Sequence, residues 1–313
     1  MPTETKSDEA ASVSPWTSER FGLLCGATMA VGAAVSFAVA RAGFVGGLAV
    51  EDIILVRYVV AGLALLPLLL WWGAGSLAGI GWRPGLWLLL LGGPLFSMLQ
   101  TGGFLFAPLA HGGVIAPSAV TIFSTIIAGV FLRERITLAH VLGAAIVLLG
   151  IMLIGWDGLT RSSHGQAWIG DLMFVGSSAM WATYSMLVRH WRLDAARSTA
   201  AVAVLSMVSF LPAYLAWHGL SRVMELPGEQ LILQGLVQGG LQGVITIIAY
   251  TRAINLLGVS RAVLFPAIVP AISLLVGVPI VGEIPHPLQI TGLLLVTLGL
   301  LTAIGVVRRL LPR

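Results

Sequence analysis

The feature that most constrains this chain is a series of long apolar runs, each close to the about 20 residues that a helix needs to cross a bilayer. The connections between them are short. The runs lack the alternation of a membrane β-barrel. We therefore predict an all-α integral membrane protein with ten transmembrane helices, at 21–40, 50–72, 84–105, 112–131, 137–156, 168–188, 199–218, 229–251, 259–281 and 287–307.

Composition supports a lipid-facing surface. Only 10% of the 313 residues are charged and 58% are hydrophobic, whereas soluble domains carry about 25% charged residues. The single cysteine, Cys25, cannot form an intramolecular disulfide, and the six histidines are dispersed. We therefore expect no metal and no organic cofactor.

The basic residues test the helix count. With a cytoplasmic N-terminus and alternating helices, only Arg41, Arg161 and Arg222 fall outside, and Arg57 lies within the second helix. The cytoplasmic segments then hold Lys6, Arg20, Arg83, Arg133, Arg135, Arg189, Arg192, Arg197, Arg252, Arg261, Arg308, Arg309 and Arg313. This distribution follows the positive-inside rule. It predicts cytoplasmic termini in a bacterial cytoplasmic (inner) membrane, and it explains the net charge of +4 without nucleic acid.

Two segments indicate an internal repeat. FLRERITLAHVLGAAIVLLGIMLIG and VGEIPHPLQITGLLLVTLGLLTAIG align at a constant offset of 149, which matches Glu134 with Glu283, Gly143 with Gly292, and Gly150 with Gly299. Five helices per half is an odd number, so the second half enters the membrane from the opposite side. We predict two inverted five-helix repeats around a central cavity. The predicted divisions are a cytoplasmic tail 1–20, a first repeat 21–156, a linker 157–167, a second repeat 168–307 and a tail 308–313.

These motifs resemble the EamA-type transporters of the drug/metabolite transporter superfamily over about residues 20–310. GDLMFVGSSAMWATYSMLVRH and AYTRAINLLGVSRAVLFPAIVPAISLLVGVPIVGE carry the resemblance further. The family's proline 13 residues before the glutamate is Pro270 in the second half, but Thr121 replaces it in the first. The resemblance implies ten helices, a central cavity and movement of metabolites such as amino acids, nucleobases or drugs, with export favoured.

A polar stripe marks the eighth predicted helix. Residues four apart lie on nearly one helix face, with a drift of about 40° per step. Amides facing lipid are unfavourable, so the stripe should face the protein interior. It either lines a cavity or holds helices together by hydrogen bonds. We favour the cavity for Gln242 and Thr246, and Gln100 of the third helix aligns close to Thr246 in the repeat. The stripe comprises Gln234, Gln238, Gln242, Thr246 and Tyr250.

The sixth predicted helix places Ser177, Trp181 and Tyr184 or Ser185 on one side. Trp181 lies 13 residues into the span, too deep for an interfacial belt. The aromatic pair either contacts a substrate, including a cationic one, or simply packs.

Arg57 is the only basic residue well inside a predicted span, roughly 9 Å from the helix start at about 1.5 Å per residue. It binds an anionic part of a substrate, extends outward to the membrane interface, or pairs with Glu51, Asp52 or Glu283. The predicted substrate-binding residues are therefore Arg57, Gln100, Trp181, Tyr184, Gln242, Thr246 and Tyr250.

Other titratable residues lie near helix ends. We expect Glu134 and Glu283 to act as interfacial anchors or helix-end acceptors, and His111 and His218 to be solvated. The spans hold no acidic residue in their central turns, which favours a facilitator or an unusual coupling. Prolines inside spans, notably Pro94 and Pro270, should bend the third and ninth helices.

Three functions remain open at this stage. A carrier of small organic molecules is the first, a channel or a non-transporting membrane partner subunit the second, and an intramembrane enzyme the third. No span holds paired acids or a nucleophile–base pair, which disfavours the enzyme. A single intramembrane arginine disfavours phosphate-bearing substrates, and no Walker-type loop is present. The expected partners are a small molecule and the lipid bilayer, and the oligomeric state is open.

Overall fold

The structure, a computed structural model, describes residues 15–131, 137–161, 166–262 and 264–303. Within these ranges the chain is helical and contains no strand. The helices are α1 (Pro15–Val45), α2 (Val50–Trp72), α3 (Trp82–Gly92), α4 (Pro94–Phe106), α5 (Leu109–Phe131), α6 (Leu138–Arg161), α7 (Ala167–His190), α8 (Ala195–Glu225), α9 (Gly228–Gln234), α10 (Thr246–Leu257), α11 (Val259–Ala262), α12 (Leu264–Val281) and α13 (Pro287–Ala303), with a π-helix at Gly235–Ile245 and a 3₁₀ turn at Ala74–Ser76.

Helices occupy the described part of each of the ten predicted ranges, and the all-α membrane fold is confirmed. Among the described residues, eight helical segments are long and apolar enough to cross a membrane. The segment α13 is apolar but shorter, at 17 residues, and α7 is not among the eight. The number of crossings therefore stays a prediction. Glu134, its flanking arginines, and most of both predicted tails lie outside the described residues.

Three predicted helices are less regular than their hydropathy indicates. The third is broken at Gly93, and Pro94 begins α4 as its first residue, where its missing N–H costs no helix hydrogen bond. The seventh continues past a kink at Gly219, whose φ of 76° is accessible to glycine. The eighth contains the 11-residue π-helix, with i→i+5 hydrogen bonds.

The helices α6 and α13 cross at glycines. A Cβ atom added to Gly143 would lie 2.6 Å from the carbonyl oxygen of Gly299, and one added to Gly150 would lie 2.6 Å from that of Gly292. Both distances are below van der Waals contact. The two backbones can approach this closely only because these positions lack side chains.

The two ends of the helix bundle differ in their polar contacts. We call the end where α1 stops and α2 begins end A, and the opposite end, where α2 stops, end B. The largest apolar core lies between α1, α4, α5, α7 and α12, around the buried rings of Phe104 and Phe174. Most ion pairs between described residues lie at end A, and Arg261–Glu19, at 2.7 Å, lies at end B.

Candidate functional site

A cavity of about 50 Å³ lies between helices of both sequence halves, and we call it the Arg57 cavity. Three of the predicted substrate-binding residues line it, namely Arg57, Trp181 and Tyr184. This brings together residues from α2 and α7 that are more than a hundred positions apart in the chain. The full lining consists of Arg57, Tyr58, Ala61, Gly92, Trp181, Tyr184, Thr199, Val202, Ala203, Gly243 and Ile247.

The aromatic residues of this wall form a continuous stack. The rings of Trp181 and Tyr184 are parallel within 10°, with centroids 4.9 Å apart. Phe96 of α4 also contacts Trp181, at a centroid distance of 5.2 Å and an interplanar angle of 30°. Tyr184 packs against Gly92, where an added Cβ would lie 2.9 Å from the ring. These contacts hold Trp181 and Tyr184 in place in the wall.

Tyr58 ties the cavity to the break between α3 and α4. Its hydroxyl donates to the carbonyl oxygen of Gly92 at 3.2 Å and lies 2.7 Å from Oγ of Ser97. The Tyr58 and Ser97 hydroxyls thus share a hydrogen bond next to the carbonyl of Gly92, where α3 ends. The sequence reasoning overlooked Tyr58, although it follows Arg57 directly.

Arg57 is half-buried and has no carboxylate partner among the described residues. Its guanidinium lies over the ring of Tyr58, 5.8 Å from the ring centre. The three acidic residues that the sequence offered as partners are all engaged at end A. Glu51 lies 3.5 Å from His218, Asp52 accepts from Arg222 at 2.8 Å, and Glu283 accepts from Arg41 at 2.7 Å.

Gln100 lies beside the stack but does not line the cavity. Its side-chain oxygen accepts a 2.7 Å hydrogen bond from the hydroxyl of Ser177, which joins α4 to α7. The Gln100 amide nitrogen is buried without a partner among the described residues. Gln100 therefore contacts α7 through its oxygen, while the two N–H donors of its amide have no partner among the described residues.

The polar stripe faces α1 rather than the Arg57 cavity. The Gln234 amide donates to the carbonyl of Val39 at 2.8 Å, and that of Gln238 donates to the carbonyl of Ser36 at 2.7 Å. These two residues join helices, which was the alternative left open by the sequence. The cavity face of this segment instead carries residues one position further along the chain, Gly243 and Ile247.

The remaining stripe residues differ among themselves. The side-chain oxygens of Gln242 and Thr246 are buried without a partner among the described residues. Thr246 lies against α1, its hydroxyl 2.6 Å from the place of a Cβ on Gly32. Tyr250 packs with a small apolar cluster around Cys25. The structure thus separates these three from Arg57, Trp181 and Tyr184, although Gln242 and Thr246 directly precede cavity-lining residues.

End A is held by two ion-pair networks that join the sequence halves. Arg41 contacts Glu283 and the carbonyl of Phe104, and Glu283 also accepts from the backbone N–H of Leu109 at 2.8 Å. The helix-end role expected of Glu283 is therefore confirmed. In the second network, buried Asp52 accepts from the Tyr214 hydroxyl at 2.5 Å and from Arg222.

The expectation that His111 is solvated is wrong. Its side chain is fully buried, and Nδ1 lies 2.8 Å from Oδ1 of Asp171. The pair joins α5 to α7, and sequence reasoning missed it because the two residues are 60 positions apart. His218, by contrast, is partly exposed beside Glu51. No cluster of three or more His, Cys, Asp or Glu residues suited to a metal occurs in the described part of the chain.

A second cavity of about 270 Å³ lies at end A, between α5, α12 and the segment after α12. It is larger than the Arg57 cavity, but it is bordered by helix ends and by Glu283, which is already paired. Both cavities contact the two sequence halves, but the Arg57 cavity alone has a charged lining residue without an ion pair among the described residues. We therefore take the Arg57 cavity as the candidate site.

Known proteins similar to this chain are transporters. A relative from Streptantibioticus cattleyicolor, described as a probable terminal-alkyne amino-acid exporter, is 26% identical over 63% of this chain and 64% of its own, just under two thirds of its length. The uncharacterized transporter YyaM of Bacillus subtilis is 26% identical over 68% of this chain and 70% of its own. A crystal structure described only as that of a protein has a TM-score of 0.58 over 95% of this chain and 99% of its own; at 16% identity this supports the fold alone.

The family match covers nearly the whole chain. A sequence model of the EamA-like transporter family matches residues 20–156 and again residues 168–305. Transporters are not enzymes, and membership implies small-molecule substrates in a membrane setting. The chain therefore belongs to the EamA-like transporter family and is a multi-pass membrane protein.

Proposed function

We propose that this protein is a secondary transporter that moves a small organic metabolite across the membrane by alternating access, in the direction of export. The observation that carries the proposal is the Arg57 cavity, which is walled by α2 and α3 of the first half and by α7, α8 and the π-helix segment of the second. A site between two repeats near the middle of the bilayer is the arrangement from which rocking of one repeat against the other gives access to each side in turn.

We infer that both termini are cytoplasmic and that the protein lies in a bacterial inner membrane. The distribution of lysines and arginines supports this orientation. End A then faces the outside, and the Arg41–Glu283 and Asp52–Arg222 contacts hold it closed in the conformation described. Reporter fusions placed after Arg197 and after Arg161 should report opposite sides of the membrane. The same side for both would contradict the orientation.

The substrate classes that we propose are amino-acid-like compounds, nucleobases or drug-like compounds. The similarity to a probable terminal-alkyne amino-acid exporter supports the first of these. The Arg57 cavity carries one guanidinium, so phosphate-bearing substrates, which need several cations, are disfavoured. Gln100, Gln242 and Thr246 do not line the cavity, but each has a buried polar atom without a partner among the described residues, and we propose that they contact the substrate once the cavity widens. Tyr250 is the least favoured of the predicted residues because it packs with the Cys25 cluster.

Counterflow in proteoliposomes tests the proposal. Purified protein is first screened by thermal shift against amino acids, nucleobases and cationic drugs, and the strongest stabiliser is radiolabelled. A carrier should show saturable uptake that accelerates when unlabelled compound is loaded inside. Non-saturable flux would indicate the alternative of a channel, and no flux with any stabiliser would favour a non-transporting partner subunit. Protein-free liposomes are the control.

A further inference from the structure

We infer that the Arg57 cavity binds a monocarboxylate with a short apolar side chain, and that Arg57 holds the carboxylate. This inference rests on the proposed transport function and specifies its substrate class. The carboxylate belongs either to an amino acid or to a simple organic acid, and the experiment below distinguishes these two sources.

The first step is the charge on Arg57. Ionisable residues inside transmembrane segments are energetically unfavourable, and they normally pair with one another or mark a substrate path. Arg57 lies two turns into α2, well past the first-turn acids Glu51 and Asp52. In the described part of the chain it has no ion pair and no hydrogen bond, only the face of the Tyr58 ring.

The second step is that the nearby acids are already satisfied. Asp52 is completely buried and accepts from the Ala49 N–H, the Tyr214 hydroxyl and Arg222. Moving it to Arg57 would break all three bonds and leave Arg222 unpaired. Glu51 and Glu283 lie at end A with their own basic partners. The anion that pairs with Arg57 is therefore one that the described residues do not provide.

The third step is the kind of anion. One guanidinium presents a planar pair of N–H donors that matches the two oxygens of a carboxylate. Among the described lining residues, no second cation could share a dianion. Most of the rest of the wall is aliphatic, formed by Ala61, Val202, Ala203 and Ile247, and Thr199 and Tyr58 are its polar members. Trp181 and Tyr184 already stack on each other, so the apolar part of the ligand packs against the aliphatic wall.

The cavity volume sets the size of the ligand. About 50 Å³ is room for only a few water molecules. A substrate therefore enters only when α2 separates from α7 and α8, and a compact side chain demands the least separation. We take a branched side chain of four carbon atoms as the probe, since it matches the alanine and valine surface.

Three probes with the same isobutyl group separate the charges: L-leucine, 4-methylpentanoate, which lacks the amino group, and 3-methylbutylamine, which lacks the carboxylate. Their apparent Kd values are measured by thermal shift and by calorimetry on the full-length protein in detergent. We expect both acids to bind and the amine to bind at least roughly tenfold more weakly. Comparable binding of leucine and 4-methylpentanoate identifies a simple acid site, whereas a clear preference for leucine identifies an amino-acid site.

Two substitutions locate the carboxylate. Arg57→Gln should raise the apparent Kd of whichever acids bind by roughly 10- to 100-fold, the usual effect of losing a charged hydrogen-bond partner. Arg57→Lys keeps the positive charge and should raise it by less than the glutamine variant does. Arg252→Gln is the matched control, since Arg252 is exposed on α10 and does not line the cavity; it should leave the Kd unchanged. Unliganded melting and size exclusion establish that each variant is folded.

The inference is overturned if neither acid binds the parent protein, if the amine binds as tightly as the acids, or if Arg57→Gln binds the acids as well as the parent does. If the glutamine variant does not fold, the probe series and the lysine variant still decide. Counterflow of the amine or of a nucleobase in a protein that ignores both acids would overturn the carboxylate assignment while leaving the transporter function intact. Binding of an acid without any counterflow would instead count against transport.

Discussion

Breaking the Arg41–Glu283 ion pair should loosen end A. The two side chains meet at 2.7 Å and join α1 to the segment after α12. Glu283→Gln can still accept from the N–H of Leu109. Arg41→Gln has a shorter side chain and also loses the contact of the guanidinium Nη1 with the carbonyl of Phe104. Glu283→Gln therefore removes the charge–charge interaction with the least other change, and Arg41→Gln removes one further hydrogen bond.

The burial of the pair gives the size of the effect. Exposed ion pairs contribute about 0.2–1 kcal/mol, and hydrogen bonds to charged groups contribute about 1.5–3 kcal/mol. The Arg41 and Glu283 side chains are 22% and 28% exposed, so solvent screens the pair only partly. We therefore expect the coupling free energy between Arg41 and Glu283 to lie between these two ranges, at about 1–2 kcal/mol. This corresponds to a roughly 5- to 30-fold larger population with end A open.

Cysteine labelling measures that population. The only cysteine in the sequence is Cys25, which is removed by Cys25→Ala. Ala110→Cys then places a reporter in the end A cavity, which Glu283 also lines. Ala110 is 7% exposed, so labelling by a hydrophilic maleimide requires local opening. The labelling rate in detergent should rise roughly 5- to 30-fold in either single variant, and by no more in the double variant.

The control is the Arg261–Glu19 pair at end B, which has the same 2.7 Å distance but side chains that are 63% and 46% exposed. Glu19→Gln should leave the labelling of Ala110→Cys unchanged. Equal labelling in the parent and both end A variants would refute the reasoning, because the pair would then not hold this end closed. If the effects of Arg41→Gln and Glu283→Gln on the labelling rate simply add in the double variant, the two residues act separately.

Three further changes test packing and the site. Gly150→Ala should lower the unfolding free energy by about 1–3 kcal/mol, since its Cβ meets a backbone oxygen, whereas Gly155→Ala, whose Cβ meets no atom closer than 3.8 Å, should be tolerated in the same thermal melt. His111→Ala should cost about 1–3 kcal/mol because it removes a fully buried side chain and its hydrogen bond to the partly buried carboxylate of Asp171; an unchanged melting temperature would contradict this. Trp181→Ala and Gln242→Ala should reduce counterflow with near-normal membrane expression, and unchanged affinity and rate in both would place the substrate elsewhere.

The helices were predictable because their lengths follow from the bilayer. The predicted range 50–72 coincides with α2, and 112–131 ends where α5 ends. Local changes in helix geometry could not be predicted from the sequence. Hydropathy averages over a whole run, so it cannot detect the break at Gly93 or the π-helix, both of which depend on individual glycines and on neighbouring helices.

Three of the predicted site residues lie together, but the polar stripe does not join them. Arg57, Trp181 and Tyr184 line one cavity, and their contact with a substrate stays a prediction. The polar stripe faces elsewhere because the number of residues per turn changes along this helix. Four residues are slightly more than one turn of an α-helix and slightly less than one turn of a π-helix. The face presented by Gln242 therefore depends on how many residues adopt the π form, and periodicity alone does not reveal this.

The crossing of α6 and α13 carries information about how the halves are related. The offset of 149 matches Gly143 with Gly292 and Gly150 with Gly299. In the structure the contacts are instead Gly143 with Gly299 and Gly150 with Gly292. If Gly143 is replaced by its repeat partner Gly292, and Gly299 by its partner Gly150, the first contact becomes the second. This is the symmetry of an isologous two-fold interface. Helices crossing in parallel would place the matched glycines against each other. The antiparallel contact is thus what an inverted repeat requires at its fifth helices.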